Sequence, residues 1–399
     1  MSSPNQPTWT LSMPAALLLM SPFDVLASLA MDIYLPVVPI MPGALATSPA
    51  AIQLTLSLYM ICLGLGQLAF GPISDRIGRR PVLVGGALAF MAASFVLAAT
   101  SLAPVFLALR VVQALGASAM LIAVFATVRD VYAQRPEGAV IYAMLGSLLS
   151  FVPALGPIAG ALIANSFGWR AIFVALGILA VVATLNAWPR WRETRPLTHG
   201  RARGGFGPIL RSFVFWTYTL AFATAMGSFF VFFSTAPRVL IGKAGFSLLG
   251  FSLAFASAAL VMILTTRFAK SFVARWGIAG SVRRGMAMLL LGAGLLAMGQ
   301  SLAEPSFVSF VIPMWVIAIG IVFTASVTAN GALAPFGETA GTAVALYFCL
   351  QSVIVSAAGT LFIFLLDGDT AWPLAGFAAS FAIVTIWALG RLRTEDSKL

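Results

Sequence analysis

The stretch GPISDRIGRRP, residues 71–81, separates two long apolar runs of the sequence. Its glycines, Gly71 and Gly78, permit a tight turn, and Pro81 suits the first position of a helix. The arginines of the stretch favour the side of a membrane on which loops collect Lys and Arg. The stretch therefore predicts a short basic loop between two membrane helices.

The composition of the whole chain indicates that lipid is its solvent. Hydrophobic residues make up 60% of the 399 residues and charged residues 9%, with a mean hydropathy of +1.01. A water-soluble globule of this size needs more polar material to cover its surface. A spanning helix takes about 20 apolar residues, which leaves room for about twelve spans and no separate soluble catalytic domain.

Apolar runs bounded by polar residues, Gly or Pro predict an all-α membrane protein with twelve transmembrane helices in two six-helix bundles. The first bundle, 1–188, is expected to contain helices at 15–39, 51–70, 81–100, 105–128, 139–164 and 169–188. The second bundle, 213–399, is expected to contain helices at 213–236, 248–266, 282–300, 306–329, 339–365 and 372–390. Such a plan is typical of secondary transporters, which bind substrate near the midplane between their halves.

The segment 189–212 contains six arginines and several glycines, and we expect it to be a cytoplasmic linker between the bundles. With both termini in the cytoplasm, nineteen of the 23 Lys and Arg residues fall in inner loops and the tail, three in outer loops, and Arg110 alone within a span. This bias explains the net charge of +11 by membrane orientation, so no nucleic-acid partner is expected. A long connection in a channel or receptor is the alternative for this segment.

The single histidine, His199, lies in this polar segment rather than in a span. A metal site or catalytic site built on histidine is therefore not expected, and neither is a cofactor. An integral-membrane enzyme would need a convergent catalytic set, and a channel would be expected to show pore-lining repeats.

Three charged residues lie well within predicted spans, away from their ends: Asp24 and Asp32 in the first helix and Arg110 in the fourth. A charge at mid-membrane costs about 3 kcal/mol or more, so these residues indicate function. At about 1.5 Å per residue, Asp24 lies near the membrane centre, while Asp32 and Arg110 lie at similar depths nearer the outer surface. We expect Asp24 to carry a proton or contact substrate in a central cavity, and Asp32 and Arg110 to form a coupled pair. A static structural ion pair is the alternative for the latter two.

The stretch 71–81 resembles the signature loop of the major facilitator superfamily, Gly-x-x-x-Asp-Arg-x-Gly-Arg-Arg. The resemblance implies that Asp75 acts as a conformational latch near the positive N-terminal end of helix 11. It assigns the rest of the latch motif to Gly71, Arg76, Gly78, Arg79 and Arg80. A solvated basic loop without such a role is the alternative.

Two further stretches resemble motifs of drug:proton antiporters in the same superfamily. RVVQALG at 110–116 is similar to Arg-x-x-Gln-Gly, with its glycine displaced by two residues, and implies a role in proton transfer. PALGPIAG at 153–160 is similar to the Gly-Pro-x-x-Gly antiporter motif and favours export over uptake. The residues that carry this second motif are Pro153, Gly156, Pro157 and Gly160. The two glycines alone would also fit an ordinary close-packing helix face.

Four longer stretches narrow the resemblance to the Bcr/CflA group of drug exporters and, within it, to phenicol exporters. They are SPFDVLASLAMD at 21–32, DIYLPVVP at 32–39, FATVRDVY at 125–132 and GSFFVFFSTAP at 227–237. The resemblance implies proton-coupled efflux of chloramphenicol and florfenicol, with drug resistance as the result. We expect a multi-pass monomer in the cytoplasmic (inner) membrane, with both termini in the cytoplasm and with lipid, protons and a small drug as partners.

Phenicols are small, neutral and aromatic, and an aromatic cavity with few hydrogen-bonding groups suits them. The residues expected to line such a cavity are Asp24, Tyr34, Tyr59, Gln113, Phe229 and Phe233. Ordinary packing is the alternative for each phenylalanine, because those of the seventh helix point to several faces. A broader multidrug exporter and a proton-coupled uptake symporter for a small metabolite are the alternative functions.

Overall fold

The computed structural model describes Trp9 and residues 11–132, 135–195 and 206–396. Twelve helices in this part of the chain are long and apolar enough to cross a membrane, which confirms the predicted number. They are α1 (Met13–Ala44), α2 (Pro49–Ile77), α3 (Arg79–Ala99), α4 (Ala103–Tyr132), α5 (Val140–Phe167), α6 (Arg170–Arg190), α7 (Phe213–Lys243), α8 (Leu248–Thr266), α9 (Ala269–Leu302), α10 (Phe307–Phe336), α11 (Thr342–Leu365) and α12 (Trp372–Leu392). No strand occurs among the described residues, so the all-α class is confirmed.

The chain forms two compact units, Met1–Arg201 and Ala202–Leu399, and each contains six of the twelve helices. The expected linker, 189–212, falls partly on 196–205, which lie outside the described residues. On either side of that gap, α6 continues to Arg190 and a short helix covers Phe206–Leu210. The linker and its boundaries therefore stay a prediction.

The stretch 71–81 is mostly helical, which corrects the expected loop. Helix α2 continues through Ile77, Gly78 alone leaves helical geometry with a φ of 111°, and α3 begins at Arg79. Pro81 is therefore the third residue of α3 rather than its first. Glycine adopts a positive φ without strain, so one residue suffices for the turn. A Cβ atom at Gly78 would also collide with the carboxylate of Glu193.

Several helix ends extend beyond the predicted boundaries. Helix α9 begins at Ala269 rather than at 282 and is interrupted at Gly277, where φ is 67° and ψ is −174°. Helix α1 continues through a 3-10 turn at Leu35–Ile40, and α7 ends in a π-helical turn at Arg238–Lys243. These turns satisfy backbone hydrogen bonds beyond the apolar run, and hydropathy carries no signal for them.

Aromatic rings join α1, α4 and α6 in the first unit. The ring of Phe106 lies 6.1 Å from that of Tyr34 and 5.4 Å from that of Phe173, measured between centroids. All three side chains are fully buried. Contacts between aromatic rings stabilise a fold beyond the contribution of buried apolar area. Packing alone therefore fixes the position of Tyr34, whatever its role in transport.

In the second unit, a stack of phenylalanines joins α7, α8 and α10. The ring of Phe232 lies 5.1 Å from that of Phe255 and 5.7 Å from that of Phe310. Phe229 and Phe233 also contact Phe255, at centroid distances of 6.0 Å each. The phenylalanines of α7 therefore contribute to packing within their own unit.

Candidate transport site

The three ionisable residues predicted inside the membrane are all buried in the first unit. Asp24 and Arg110 are 0% exposed and Asp32 is 6% exposed. Helix α1 carries both aspartates, and α4, which packs against α1, carries Arg110. Burial of three ionisable groups in one apolar bundle is costly unless contacts compensate their charges. Such groups in a membrane bundle therefore indicate function.

Arg110 is held by a backbone carbonyl group, an amide and two aromatic rings. Its Nη1 atom donates hydrogen bonds to the carbonyl oxygen of Ala30, at 3.0 Å, and to Oε1 of Gln113, at 2.6 Å. Its guanidinium carbon lies 4.5 Å from the ring centroid of Tyr59 and 5.2 Å from that of Tyr34. Cation–π contacts of this kind stabilise a desolvated cation by about 2 kcal/mol. Three of the predicted site residues, Tyr34 on α1, Tyr59 on α2 and Gln113 on α4, thus surround the charge of Arg110.

The contacts of Arg110 continue into α3 and also fix the position of α2. The Nε2 atom of Gln113 donates to Oγ of Ser94 at 2.8 Å, and that hydroxyl donates to the carbonyl oxygen of Phe90 at 2.7 Å. The hydroxyl of Tyr59 donates to the carbonyl oxygen of Ala27 at 2.8 Å. Helix α1 is therefore bound through its backbone to both α2 and α4 at the level of Arg110.

The expected pair of Asp32 and Arg110 is not formed in this structure. No ion pair joins Arg110 to any carboxylate in the described part of the chain, because its guanidinium is directed at Ala30, Gln113 and the tyrosine rings. Asp32 instead ends the regular part of α1 and lies against α5. Similar depth placed the two residues in the same layer but did not determine where the side chains point.

The end of α1 at Asp32 packs closely against the glycines of the 153–160 stretch. A Cβ atom at Gly156 would lie 2.7 Å from Cβ of Asp32, and one at Gly160 would overlap the carbonyl oxygen of Ile33. Only glycine permits so close an approach of two helices. Pro153 and Pro157 lie within the same helix. The stretch that resembles the antiporter motif is thus the surface on which the end of α1 packs.

Asp24 differs from Arg110 because no described residue compensates its charge. Neither carboxyl oxygen has a hydrogen-bond partner among the described residues. Buried carboxylates in folded proteins normally have a cation or several N–H donors as partners. A carboxyl group with neither is suited to a ligand or a proton that binds during part of a transport cycle.

Arg79 organises the stretch 71–81, called here the latch stretch, and its side chain is 2% exposed. Its guanidinium contacts the carboxylate of Asp75 at 2.6 Å and that of Asp130, on α4, at 2.8 Å, and donates to Oγ of Ser74 at 2.7 Å. Arg129 adds a longer contact of 3.9 Å to Asp75. Asp75 is thus bound within the first unit, and its expected approach to the N-terminus of helix 11 stays a prediction.

A carboxylate from the end of the first unit caps α3. Oε1 of Glu193 accepts a hydrogen bond from the backbone N–H of Arg79 at 2.8 Å, and Oε2 accepts one from Arg80 at 3.2 Å. The side chain of Arg80 donates to the carbonyl oxygen of Trp188 at 3.0 Å, and that of Arg195 donates to the carbonyl oxygen of Arg76. An anion at a helix N-terminus is favoured by the helix dipole. Residues 188–195 are therefore fastened to the latch stretch.

Replacing Glu193 with alanine is expected to release this fastening. The change removes the cap from two backbone N–H groups, and it is expected to lower the free energy of unfolding by about 1 kcal/mol because the site is exposed. Trypsin should then cleave after Arg190 faster than in the wild type, which mass spectrometry of digested membranes would measure. Glu304→Ala, a change at an exposed acid of the second unit, should leave the rate unchanged. Equal cleavage rates in wild type and Glu193→Ala would contradict the fastening.

Sequence reasoning assigned no role to Asp130 or Glu193, although both organise the latch stretch. Asp130 lies 51 residues from Arg79 and Glu193 lies 114 residues from it along the chain. One signal was present: a basic stretch of three arginines with a single acid needs further carboxylates nearby if any arginine is buried.

The predicted cavity residues of the second unit, Phe229 and Phe233, lie 6.5 Å apart between ring centroids on α7. Phe229 is half-buried and Phe233 is 4% exposed. The same helix carries buried hydroxyl groups, of which Thr224 shares a hydrogen bond of 3.0 Å with Thr385 of α12. The structure describes these residues within their own unit, and their role in binding substrate stays a prediction.

Residues 24–360 match the model of the Major Facilitator Superfamily. The chain belongs to this superfamily. Twelve spanning helices and the latch stretch agree with that membership, and this facilitator is a membrane transporter.

Curated relatives of this facilitator include drug-resistance proteins. A chloramphenicol resistance protein of Pseudomonas aeruginosa is 50% identical over 387 residues, which cover 97% of this chain and 92% of that protein. The multidrug resistance protein MdtL of Klebsiella pneumoniae (strain 342) is 28% identical over 319 residues, which cover 78% of this chain and 79% of that protein. The resemblance found in the sequence motifs is thereby confirmed.

Solved structures of distant sequence share the fold of this facilitator. A bacterial homologue of the human lysosomal transporter Spinster matches with a TM-score of 0.69 at 15% identity, over 94% of both chains. A POT family transporter in complex with 5-aminolevulinic acid matches with a TM-score of 0.73 at 13% identity, over 96% of both chains. At such identities the match shows the fold alone.

Proposed function

We propose that this facilitator exports phenicol antibiotics, chloramphenicol and florfenicol, across the cytoplasmic membrane in exchange for protons. The substrate class is supported by the Pseudomonas aeruginosa relative, a chloramphenicol resistance protein that is 50% identical over nearly the whole chain. Proton exchange is supported by Asp24, which is fully buried and has no hydrogen-bond partner among the described residues. This burial is the observation on which the coupling mechanism depends.

The proposed coupling step is the loading and release of a proton at the Asp24 carboxyl group. Desolvation penalises the charged form of a carboxyl group, so a sealed site favours the protonated group and a site open to water allows it to ionise. Movement between such states moves one proton across the membrane for each cycle. One proton contributes about 2.3 kcal/mol per 100 mV, which sustains a drug gradient of roughly 40–50-fold.

Arg110 has a different proposed role, as a fixed cation that holds α1. Its bond to the carbonyl oxygen of Ala30 lies between Asp24 and Asp32 along α1, and the antiporter-like glycines receive the same helix at Asp32. Any movement of α1 would therefore change the surroundings of both carboxyl groups together. Asp32 is proposed as the second member of the coupling set, through α1 rather than through an ion pair.

A broader multidrug exporter is the second candidate. It is favoured by the relatives named multidrug resistance protein MdtL, at 28% identity, and by the mainly aromatic character of the expected cavity residues. A cavity with few hydrogen-bonding groups selects by size and apolar contact and therefore accepts several drugs. In either case the proposed transporter acts as a monomer in the inner membrane, without a cofactor and with both termini in the cytoplasm.

The proposal predicts a gain of drug tolerance that depends on the proton gradient. Expression in a drug-sensitive bacterium should raise tolerance to chloramphenicol and florfenicol about tenfold or more, because one proton sustains a gradient of that order. A protonophore at a concentration that permits growth should reduce tolerance to that of cells with an empty vector. Growth in graded drug concentrations, with membrane expression confirmed by immunoblot, measures both effects.

Three outcomes would separate the candidates. Tolerance to phenicols and to unrelated apolar drugs would favour the multidrug exporter. Increased sensitivity to the drugs, with uptake into cells, would indicate a symporter and contradict export. Unchanged tolerance with confirmed membrane expression would remove the phenicol assignment.

A further inference from the structure

The second unit contains a basic cavity that transport does not explain. It has a volume of about 690 Å³ and lies between α9, around the break at Gly277, and the last turns of α12. Its lining includes three arginines, Arg275, Arg283 and Arg284, together with Trp276. The side of α12 contributes the apolar residues Ile386 and Leu389. The cavity is thus basic on one wall and apolar on the other.

The break in α9 brings the three arginines to one cavity. Arg275 precedes Gly277 and the other two arginines follow it, and a φ of 67° at Gly277 redirects the helix between them. The guanidinium carbon of Arg284 lies 4.6 Å from the ring centroid of Trp276. The Nη1 atom of Arg284 also donates to the carbonyl oxygen of Gly280 at 3.2 Å. Stacking and this bond hold the guanidinium in place and leave its other N–H donors for an anion.

No carboxylate whose side chain is described compensates the positive charge of the cavity. None of them lines the cavity, and none forms an ion pair with any of the three arginines. The backbone of 278–280 also lines it, at the start of the helical segment that follows the break, where the helix dipole is positive. Several cations without counter-charges in one concave site attract an anion with multiple oxygens.

The cavity lies at the depth of lipid headgroups. From Gly277 to Leu302, α9 is about 37 Å long at about 1.5 Å per residue, which exceeds the roughly 30 Å of a hydrocarbon core. The uncharged apolar run of α9 begins only after Arg283 and Arg284, so the excess length lies at the Gly277 end, and α12 ends beside it. An apolar wall at this depth contacts the glycerol and upper acyl chains of a lipid, which a free phosphate ion lacks.

We propose that this cavity binds the phosphate group of an anionic phospholipid. Arg283 and Arg284 would bind the phosphate oxygens, and Arg275 would bind from the other side of the break. Basic pockets between transmembrane helices are a recurring mode of headgroup recognition. Inorganic phosphate shares the oxygen chemistry, but the apolar wall of Ile386 and Leu389 favours the lipid.

The test is a binding measurement on the purified full-length protein in detergent. Native mass spectrometry would give apparent dissociation constants for phosphatidylglycerol and phosphatidylcholine, and competition with inorganic phosphate would be measured in the same samples. Phosphatidylglycerol should bind at least about tenfold more tightly than phosphatidylcholine. The variant Arg275→Gln/Arg283→Gln/Arg284→Gln should bind phosphatidylglycerol at least about tenfold more weakly than the wild type.

A matched control distinguishes lipid binding in this cavity from the general attraction of an anionic lipid to basic residues. The variant Arg211→Gln/Arg267→Gln/Lys270→Gln removes the same charge from exposed residues of the same unit that do not line the cavity. It should change the dissociation constant less than about twofold. A second variant, Ala279→Trp, fills the cavity and keeps all three arginines, and it should also weaken binding about tenfold. It keeps the test decisive if the triple arginine variant does not fold.

Four results would overturn the proposal. They are equal losses in the cavity and control variants, unchanged binding in both cavity variants, equal affinity for the two lipids, and displacement of phosphatidylglycerol by millimolar inorganic phosphate. The last result would assign the cavity to a free phosphate ion.

Discussion

Replacing Asp24 with asparagine is expected to abolish proton-driven drug export without lowering the amount of protein in the membrane. Asparagine has nearly the volume of aspartic acid and is neutral, so it fits a fully buried site that offers the carboxyl group no partner. It cannot take up or release a proton. In inverted vesicles with an imposed proton gradient, the wild type can concentrate the drug inside roughly 40–50-fold relative to the medium. With Asp24→Asn, the inside and outside drug concentrations should be equal.

The assay also distinguishes lost coupling from lost binding. Without a gradient, drug inside the vesicles should still exchange with labelled drug outside through Asp24→Asn, because exchange needs no net proton transfer. Glu304→Gln, a neutralised acid at an exposed position, should accumulate drug like the wild type. Accumulation by Asp24→Asn at the wild-type level would remove Asp24 from the coupling step. The same assay on Asp32→Asn would then show whether the second carboxyl group carries the proton.

Most of the fold follows from apolar runs and a few breaks. The number of helices is predicted because each span needs about 20 apolar residues, and the chain has little else. The boundaries are less predictable, as α2 and α9 show. Residues 71–77 and 269–281 interrupt the apolar runs with charged residues and glycines, yet most of them lie in helical segments beyond the predicted spans. Hydropathy indicates which residues lie in the hydrocarbon, whereas helices continue past the boundary between hydrocarbon and headgroups.

The identity of the buried charges was predictable, but their partners were not. Depth along a helix follows from residue number, so the similar depth of Asp32 and Arg110 could be derived. Rotation about the helix axis depends on packing against neighbours. Here the close approach of α1 to Gly156 directs Asp32 toward α5, while Arg110 meets Ala30, Tyr34 and Tyr59.

The second large effect is expected at Arg79. Its side chain and that of Asp130 are 2% and 3% exposed, so Arg79→Gln leaves the buried carboxylate of Asp130 with Arg129 alone, an exposed cation whose Nε atom lies 3.4 Å from it. Loss of a buried partner costs up to about 3–5 kcal/mol, and Arg129 offsets only part of it because its side chain is exposed, whereas the bond to Asp75, which is 56% exposed, contributes less than about 1 kcal/mol. Arg79→Gln should therefore lower the unfolding temperature in detergent strongly and reduce the amount of protein in the membrane. Asp75→Asn should lower stability only slightly.

A double variant tests whether the Asp130 carboxylate is the cause. Arg79→Gln/Asp130→Asn removes both buried charges, so it should be more stable than Arg79→Gln alone even though it carries an additional substitution. Additive losses would show that the two residues act independently. Asp75→Asn separates stability from transport, because a latch requires the exposed carboxylate only while the transporter changes conformation. A nearly wild-type unfolding temperature combined with lost export in Asp75→Asn would therefore place the latch at Asp75 and the structural support of that stretch at Arg79 and Asp130.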